Sequence, residues 1–330
     1  MIKNEVVSSC RVRLARNIDR VPFCKNIDAQ QAESIISTAY KLFSDCNYGN
    51  FLLHRIKDMQ ILDAKVLQEK RLISEDLVQN REFGTAIIDE LEHVSLMLME
   101  EDHFRLQCIM DGLNLFEAYE RLEPIDDMLS QEFGYAYDLK LGHLTSCITN
   151  VGTGIRAGAL LFLPGLSIAQ EIEKNISIAS NFKIAIRGYY GEGSTNEGFF
   201  YQISNQCTLG LSENEILQSV TNTINHLTNA ELAARQMLLQ KDGISLKDKV
   251  GRAYGVLTNA YTLSTKEFMS LIALVKLGIS LDLLKFKDSQ KIDKLIVDCQ
   301  PAKIVSLCGE TDEEKRDMYR ARLASKVLKS

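Results

Sequence analysis

The pattern of the chain changes near residue 210. Before it, strand-like runs mix with a few helices; from about residue 212 onward the sequence is almost all helical. Strands first and helices after limits the fold to an α+β unit followed by a helical module. At 330 residues the chain is long enough for two such units, each with its own core.

The local signals are specific. Arg11-Val12-Arg13-Leu14 alternates polar with apolar, as a half-buried strand does. Asp28, with Gln31 three residues on, opens an amphipathic helix running towards Asp45. His93 to Met99 reads as a strand. Phe104, Leu106 and Cys108 alternate with His103, Arg105 and Gln107, so a second strand follows, with Glu100-Glu101-Asp102 at the join. Lys183 to Arg187 is a further short strand ending in a Gly-rich segment. Ser212 with Glu215, Ser264 with Glu267 and Thr311 with Glu314 each fit a capping box in the helical part. There is no internal repeat and no low-complexity tract.

Composition excludes several classes. A net charge of -6 argues against nucleic acid as the main partner. The N-terminus has charges at once and no apolar signal core. The most apolar run, Ala157 to Ala169, is too short to span a bilayer and is broken by Pro164 and Gly165. The expectation is a soluble, cytoplasmic protein with no membrane contact. The eight cysteines include no CxxC and no zinc-ligand spacing; they read as reduced thiols, most of them in the core.

Arginines carry the chemistry. Arg11 and Arg13 share one face of their strand. Arg105 lies on the polar side of another, Arg156 follows TNVGTG, and Arg187 opens RGYYGEGS. Each alone reads as a solvated charge. Arginines beside Gly-rich turns in several places suit phosphate oxygens, because the guanidinium fork binds them in pairs and glycine admits close backbone approach. No Walker A sequence occurs, and Gly152, Gly154 and Ala157 match a dinucleotide fingerprint without the βαβ context it needs. By alternation Glu101, His103 and Arg105 share a face, while Glu100 and Asp102 point away, so a three-carboxylate Mg²⁺ cage is not expected. Glu192, in the Gly-rich loop, could balance arginine charge or grip a cationic substrate. Cys147 reads either as a buried thiol or, near Arg156 and Arg187, as a thiolate.

Four segments in order, SSCRVRLARN (8–17), EEDHFRLQC (100–108), CITNVGTGIRAG (147–158) and RGYYGEGS with QISNQCTLGLSE (187–213), resemble the catalytic domain of phosphagen kinases (ATP:guanido phosphotransferases). The closest likeness is to bacterial protein arginine kinases of the McsB type. RDMYRA (316–321) resembles the phosphoarginine-receptor motif of their helical domain. The resemblance implies a central antiparallel sheet flanked by helices over 1–235 and an all-helical phosphoarginine-binding, regulatory domain over 236–330. It implies that Glu101 binds the guanidinium and takes its proton, that Cys147 lies beside it, and that Glu192 is a second substrate or nucleotide-loop carboxylate. ATP, with Mg²⁺, would sit against Ser9, Cys10, Arg11, Val12, Arg13, Arg71, Arg105, Arg156, Ala157, Gly158, Ala159, Leu160, Arg187, Gly188, Tyr189, Tyr190, Gly191 and Glu192. Arg316, Asp317 and Arg320 would hold phosphoarginine, the two arginines lying four apart on one helix face.

Departures from the family pattern are Met99 for Asn, Ile148 for Pro after the cysteine, Thr195 for an acid (with Glu197 two residues on), and Arg71 for a His in a KHLIS-like segment. Small-molecule members carry a helical domain ahead of the first arginine motif, which here begins at residue 8; that favours arginine on a protein surface as substrate. A kinase-like adaptor that holds ATP or phosphoarginine, and a small-molecule guanidino kinase, are the alternatives. The resemblance further implies homodimerisation, a zinc-binding activator protein, and a Clp-type unfoldase that reads the mark in stress regulation.

Overall fold

The computed structural model describes residues 5–188, 198–286, 288 and 290–329. The alternating run at the start of the chain becomes strand β1 (Val7–Arg16). Its Cys10, Val12 and Leu14 are buried against a layer of helices, and successive side chains of a strand take opposite faces, which turns Ser9, Arg11 and Arg13 the other way.

After β1 come α1 (Ala29–Asp45), β2 (Phe51–Arg55), α2 (Ile61–Glu69), α3 (Glu75–Gln79), β3 (Thr85–Asp89), β4 (Val94–Leu98) and β5 (Phe104–Asp111). Then follow α4 (Leu115–Phe133), the small hairpin β6 (Tyr137–Asp138) and β7 (Gly142–His143), β8 (Ile155–Phe162), α5 (Pro164–Ile168), α6 (Ile172–Asn181), β9 (Ile184–Gly188) and β10 (Phe200–Asn205). The rest is helical: α7 (Glu213–Asn259), α8 (Thr265–Ser280), α9 (Gln290–Asp298), α10 (Pro301–Cys308) and α11 (Glu313–Leu328). Among the described residues eight strands form one sheet in the order β2-β3-β4-β5-β1-β8-β10-β9, antiparallel throughout. The α+β expectation, sheet first and helices after, describes the fold.

Three cores organise it. The largest joins one sheet face to α1, α4 and the first half of α7. On α1 the buried residues are Ala32, Ile35, Ile36, Ala39 and Phe43, a helical stripe. A small core under α2 and α3 packs on β3 and on Met97. The third holds the C-terminal helices together and includes Phe162 and Phe200 from the sheet, so the sheet and the helical module share side chains. α7 is interrupted at Asp242, whose backbone is not helical.

Helix starts largely follow the sequence signals. Asp28 accepts from Gln31 N–H, Ser212 and Glu215 form the full capping box, and Ser264 accepts from Glu267 N–H. The Thr311 box is corrected: Asp312 is the cap of α11, accepting from Lys315 N–H, as fits the stronger capping of Asp over Thr. All eight cysteines are free, but only Cys10, Cys108 and Cys299 are buried; the other five are half-buried, fewer in the core than expected. No helix among the described residues is long and apolar enough to cross a membrane.

Candidate active site

Sheet register assembles the site. Residues paired across antiparallel strands point to the same face. Arg13 pairs with Arg156 on β8 and with Gln107 on β5. Arg11 pairs with Gly158, and Gly158 with Ser204 on β10. Ser9 pairs with Leu160, Leu160 with Gln202, and Gln202 with Arg187 on β9. Three adjacent rows thus turn one face of four strands into an arginine field. The concave surface there is lined by Ser9, Arg11, Arg13, Arg71, Arg156, Arg187 and residues 157–160 and 202–204. At Gly158 an added Cβ would meet the Ile203 carbonyl oxygen at 2.1 Å, so only glycine lets β8 and β10 close here.

Arg71 joins from outside the sheet. It follows α2 with φ +64, its carbonyl accepts from Gln107 Nε2 at 2.8 Å, and its guanidinium donates to Ser9 Oγ at 2.7 Å. The field is electrostatically loaded. Burial first, and then Arg11, Arg105 and Arg156, hold the Arg13 guanidinium well below the usual arginine range. Burial and then Arg187 and Arg105 lower Arg156. The Nε–H groups of Arg13 and Arg156 are buried and have no hydrogen-bond partner among the described residues. Orphaned donors on crowded cations are what a polyphosphate would satisfy.

The acidic turn corrects the expected parity. β4 ends at Leu98, and Met99 takes φ +57. Met99 N–H bonds to His103 O at 3.1 Å and Glu100 N–H to Asp102 O at 3.2 Å, closing a tight turn before β5. Strand alternation does not run through such a turn, so Glu101, His103 and Arg105 do not share a face. His103 is fully buried: its Nδ1 accepts from Ile18 N–H and its Nε2 lies 2.9 Å from Pro22 O. Arg105 instead pairs with Glu100, whose side chain is buried. Sequence reasoning sent Glu100 away from the site; its pairing with Arg105 follows only from the turn.

Glu101 is the exposed acid of the three. Partial burial of its carboxyl, then Asp102, raise its pKa, against a lowering by Arg105. Asp102 accepts from Asn17 Nδ2 at 2.6 Å and from Ser146 N–H at 2.7 Å, and Ser146 Oγ donates to Glu101 O at 2.9 Å. These bonds fasten the Cys147 segment to the acidic turn. Cys147 Sγ lies 3.0 Å from Thr149 Oγ1 and near enough to Arg156 to act on its charge. Met99, where the family pattern has Asn, has its side chain fully buried in the main core; its N–H closes the turn on His103 O, and its carbonyl accepts from Asn80 Nδ2 at the end of α3.

Other expected residues fall differently. Cys10 and Val12 are in the core, on the face opposite the arginines, because they have the other parity. Gly188 ends β9; Tyr189, Tyr190, Gly191 and Glu192, with Thr195 and Glu197, lie outside the described residues. Gly152 and Gly154 lead into strand β8 rather than a helix, against a dinucleotide fold. The expected Arg316–Arg320 clamp is also corrected. Arg320 is 1% exposed and donates to Cys299 O, to Leu263 O and to Asp317. Arg316 is half-buried beside Lys65 and Glu69 in a cavity of about 580 Å³ between α2, α10 and α11. α11 buries Arg320 with Ala321 and Ala324, whereas Arg316, one turn nearer the helix start, lines the cavity instead.

Residues 31–234 match the family described as ATP:guanido phosphotransferase, C-terminal catalytic domain, and residues 243–330 match the protein-arginine kinase McsB C-terminal domain. The chain belongs to the protein-arginine kinase branch of the ATP:guanido phosphotransferase family. It is 42% identical over 328 residues to the protein-arginine kinase of Caldanaerobacter subterraneus subsp. tengcongensis, covering 98% of this chain and 97% of the relative. The Clostridium tetani protein-arginine kinase is 38% identical over 328 residues, covering 99% of this chain and 96% of its own. Among solved structures, a lombricine kinase superposes with TM-score 0.61 at 21% identity over 70% of this chain and 67% of its own. The duplicated taurocyamine kinase of Schistosoma mansoni, with transition-state analogue components bound, gives 0.62 at 22% identity over 78% of this chain and 39% of its own. These two share the fold of this kinase.

Proposed function

We propose that this kinase transfers the γ-phosphoryl group of ATP to arginine side chains of proteins. The observation that carries the reading is the arginine field with its orphaned Nε–H donors beside the Glu101–Cys147 corner. The triphosphate would lie across Arg11, Arg13, Arg156 and Arg187, with Arg71 at the edge and Arg105 towards the acidic turn. Phosphoryl transfer spreads charge over the moving oxygens, so positioning and neutralisation are most of the catalysis. Mg²⁺ would arrive on the phosphates, which suits an ion that keeps its waters and seldom takes an all-protein cage.

The acceptor is a poor nucleophile, because its guanidinium stays protonated at neutral pH. Glu101 would hold that group by paired hydrogen bonds, with Cys147 at its side. As a guanidino nitrogen bonds to the γ-phosphorus, the bond from phosphorus to the β–γ bridging oxygen breaks. The proton lost by nitrogen passes to the Glu101 carboxylate, and ADP leaves.

In the helical module a phosphoarginine site would use the cavity lined by Arg316, with Asp317, the next residue, held by its pair with the buried Arg320. We place the domain boundary at 235/236. A zinc-binding activator, a Clp-type unfoldase, homodimerisation and a cytoplasmic location complete the reading by family likeness. The test is incubation with Mg-ATP and an arginine-rich protein, scored as acid-labile phosphate on arginine. Glu101→Gln should keep ATP binding and lose transfer. Loss of ATP binding in that variant, with the fold intact, would remove Glu101 from its assigned role.

A further inference from the structure

Three loops meet at the acceptor side of the site, and polar bonds tie them together. His143 N–H donates to Gly152 O at 2.7 Å, joining the β6–β7 hairpin to the segment after Cys147. Thr208 Oγ1 donates to Thr149 O at 3.1 Å and to Val151 O at 2.7 Å, joining the loop after β10 to the same segment. Ser146 holds the segment to Glu101. Yet the side chains these loops leave outside are apolar. Leu139 is 96% exposed and Ile148, next to Cys147, is 84% exposed; Tyr137, Leu141 and Leu209 are also exposed. Apolar side chains scattered singly over a surface are ordinary, but five on three fastened loops at one edge of a site are not.

We infer that these loops form a docking rim for the apolar residues flanking the target arginine in a protein substrate. The inference rests on the proposed transfer at Glu101 and Cys147. Its occupant follows from reach. An arginine side chain extends only about 6–7 Å from its Cα. A polypeptide whose guanidinium sits between Glu101 and Cys147 must run its backbone close over Ile148. Its neighbouring residues then fall on the hairpin or on the loop after β10. Rigid, pre-tied loops lose little freedom on binding, so apolar contact there converts efficiently into affinity.

The experiment compares two unstructured peptides with one central arginine, one flanked by leucines and one by serines, at saturating Mg-ATP. The wild-type chain should favour the leucine peptide by about tenfold in kcat/KM, the discrimination an apolar contact supplies. Ile148→Ser and Leu139→Ser, both exposed and not expected to disturb folding, should each cut that preference while leaving the KM for ATP unchanged. Equal rates for both peptides in the wild type, or an undiminished preference in both variants, overturn the rim alone. A wild-type chain that modifies neither peptide, nor arginine in a folded protein, overturns the transfer reading and the rim with it.

Discussion

Arg13 is held at a cost to the unliganded protein. Arg13 is half-buried with its Nε–H enclosed, and burial with Arg11, Arg105 and Arg156 outweighs the attraction of Glu100; a partly desolvated cation beside like charges destabilises the fold. Arg13→Met should therefore leave thermal stability without nucleotide unchanged or higher, while a charge-assisted hydrogen bond of about 1.5–3 kcal/mol to phosphate is lost. Thermal melts with and without ATP separate the two effects; a variant less stable without ATP would contradict the electrostatic account. Glu101 predicts a pH dependence. As the proton acceptor it must be ionised, and burial with Asp102 raises its pKa. Activity should then fall with acidification along a limb placed above the ordinary glutamate value of about 4.3. The acid limb of kcat/KM reports that group in the free enzyme; a limb at or below the ordinary value would exclude Glu101 as its source. At this scale Arg11, Arg13, Arg156 and Arg187 were legible, because strand parity is a local rule. Glu100 and His103 were not, since one left-handed residue, Met99, cancels parity across the turn.

Helix α10 starts at Pro301, yet its first free amides are capped from another unit of the fold. Glu69, the last residue of α2, accepts from Ala302 N–H at 2.6 Å and Lys303 N–H at 2.8 Å. A side chain that satisfies helix-start amides contributes about 0.5–2 kcal/mol. Glu69→Ala should lower the unfolding midpoint accordingly and raise amide exchange at residues 302–308. Glu69→Gln, which keeps one acceptor, should lose less. Equal exchange in Glu69→Ala and wild type would show that packing, not the cap, holds α10. Sequence exposes caps that are local: Asp28, Ser212 and Ser264 each serve a helix that starts at the next residue. A cap supplied from more than two hundred residues away leaves no such pattern. Proline at its first position and the left-handed Gly309 just past its end are the local signs of α10.

At the level of the molecule, one buried ion pair joins the sheet to the helical module. Glu231 and Arg235 on α7 pair at 2.6 Å, almost without exposure. Glu231 also accepts from Gly165 and Leu166 N–H, while Arg235 reaches Phe162 O and Ser280 Oγ and lies over the Phe162 ring. An added Cβ at Gly165 would lie 2.9 Å from Arg235 N, so the approach requires glycine. The change from strands to helices near residue 210 marked two units in the sequence, but this joint between them is non-local and carried no signal. Its two halves are unequal. Removing Glu231 strands a buried cation and two amides, whereas removing Arg235 leaves a carboxylate still held by two N–H donors. Glu231→Ala should cost about 3–5 kcal/mol, the range for breaking a buried pair, and Arg235→Met distinctly less. Replacing both with apolar residues should not restore stability, because the Gly165 and Leu166 amides stay unmatched. Urea unfolding measures all three. Equal losses in the two single variants would mean that the pair, rather than the amide cradle, fastens the sheet to the helices.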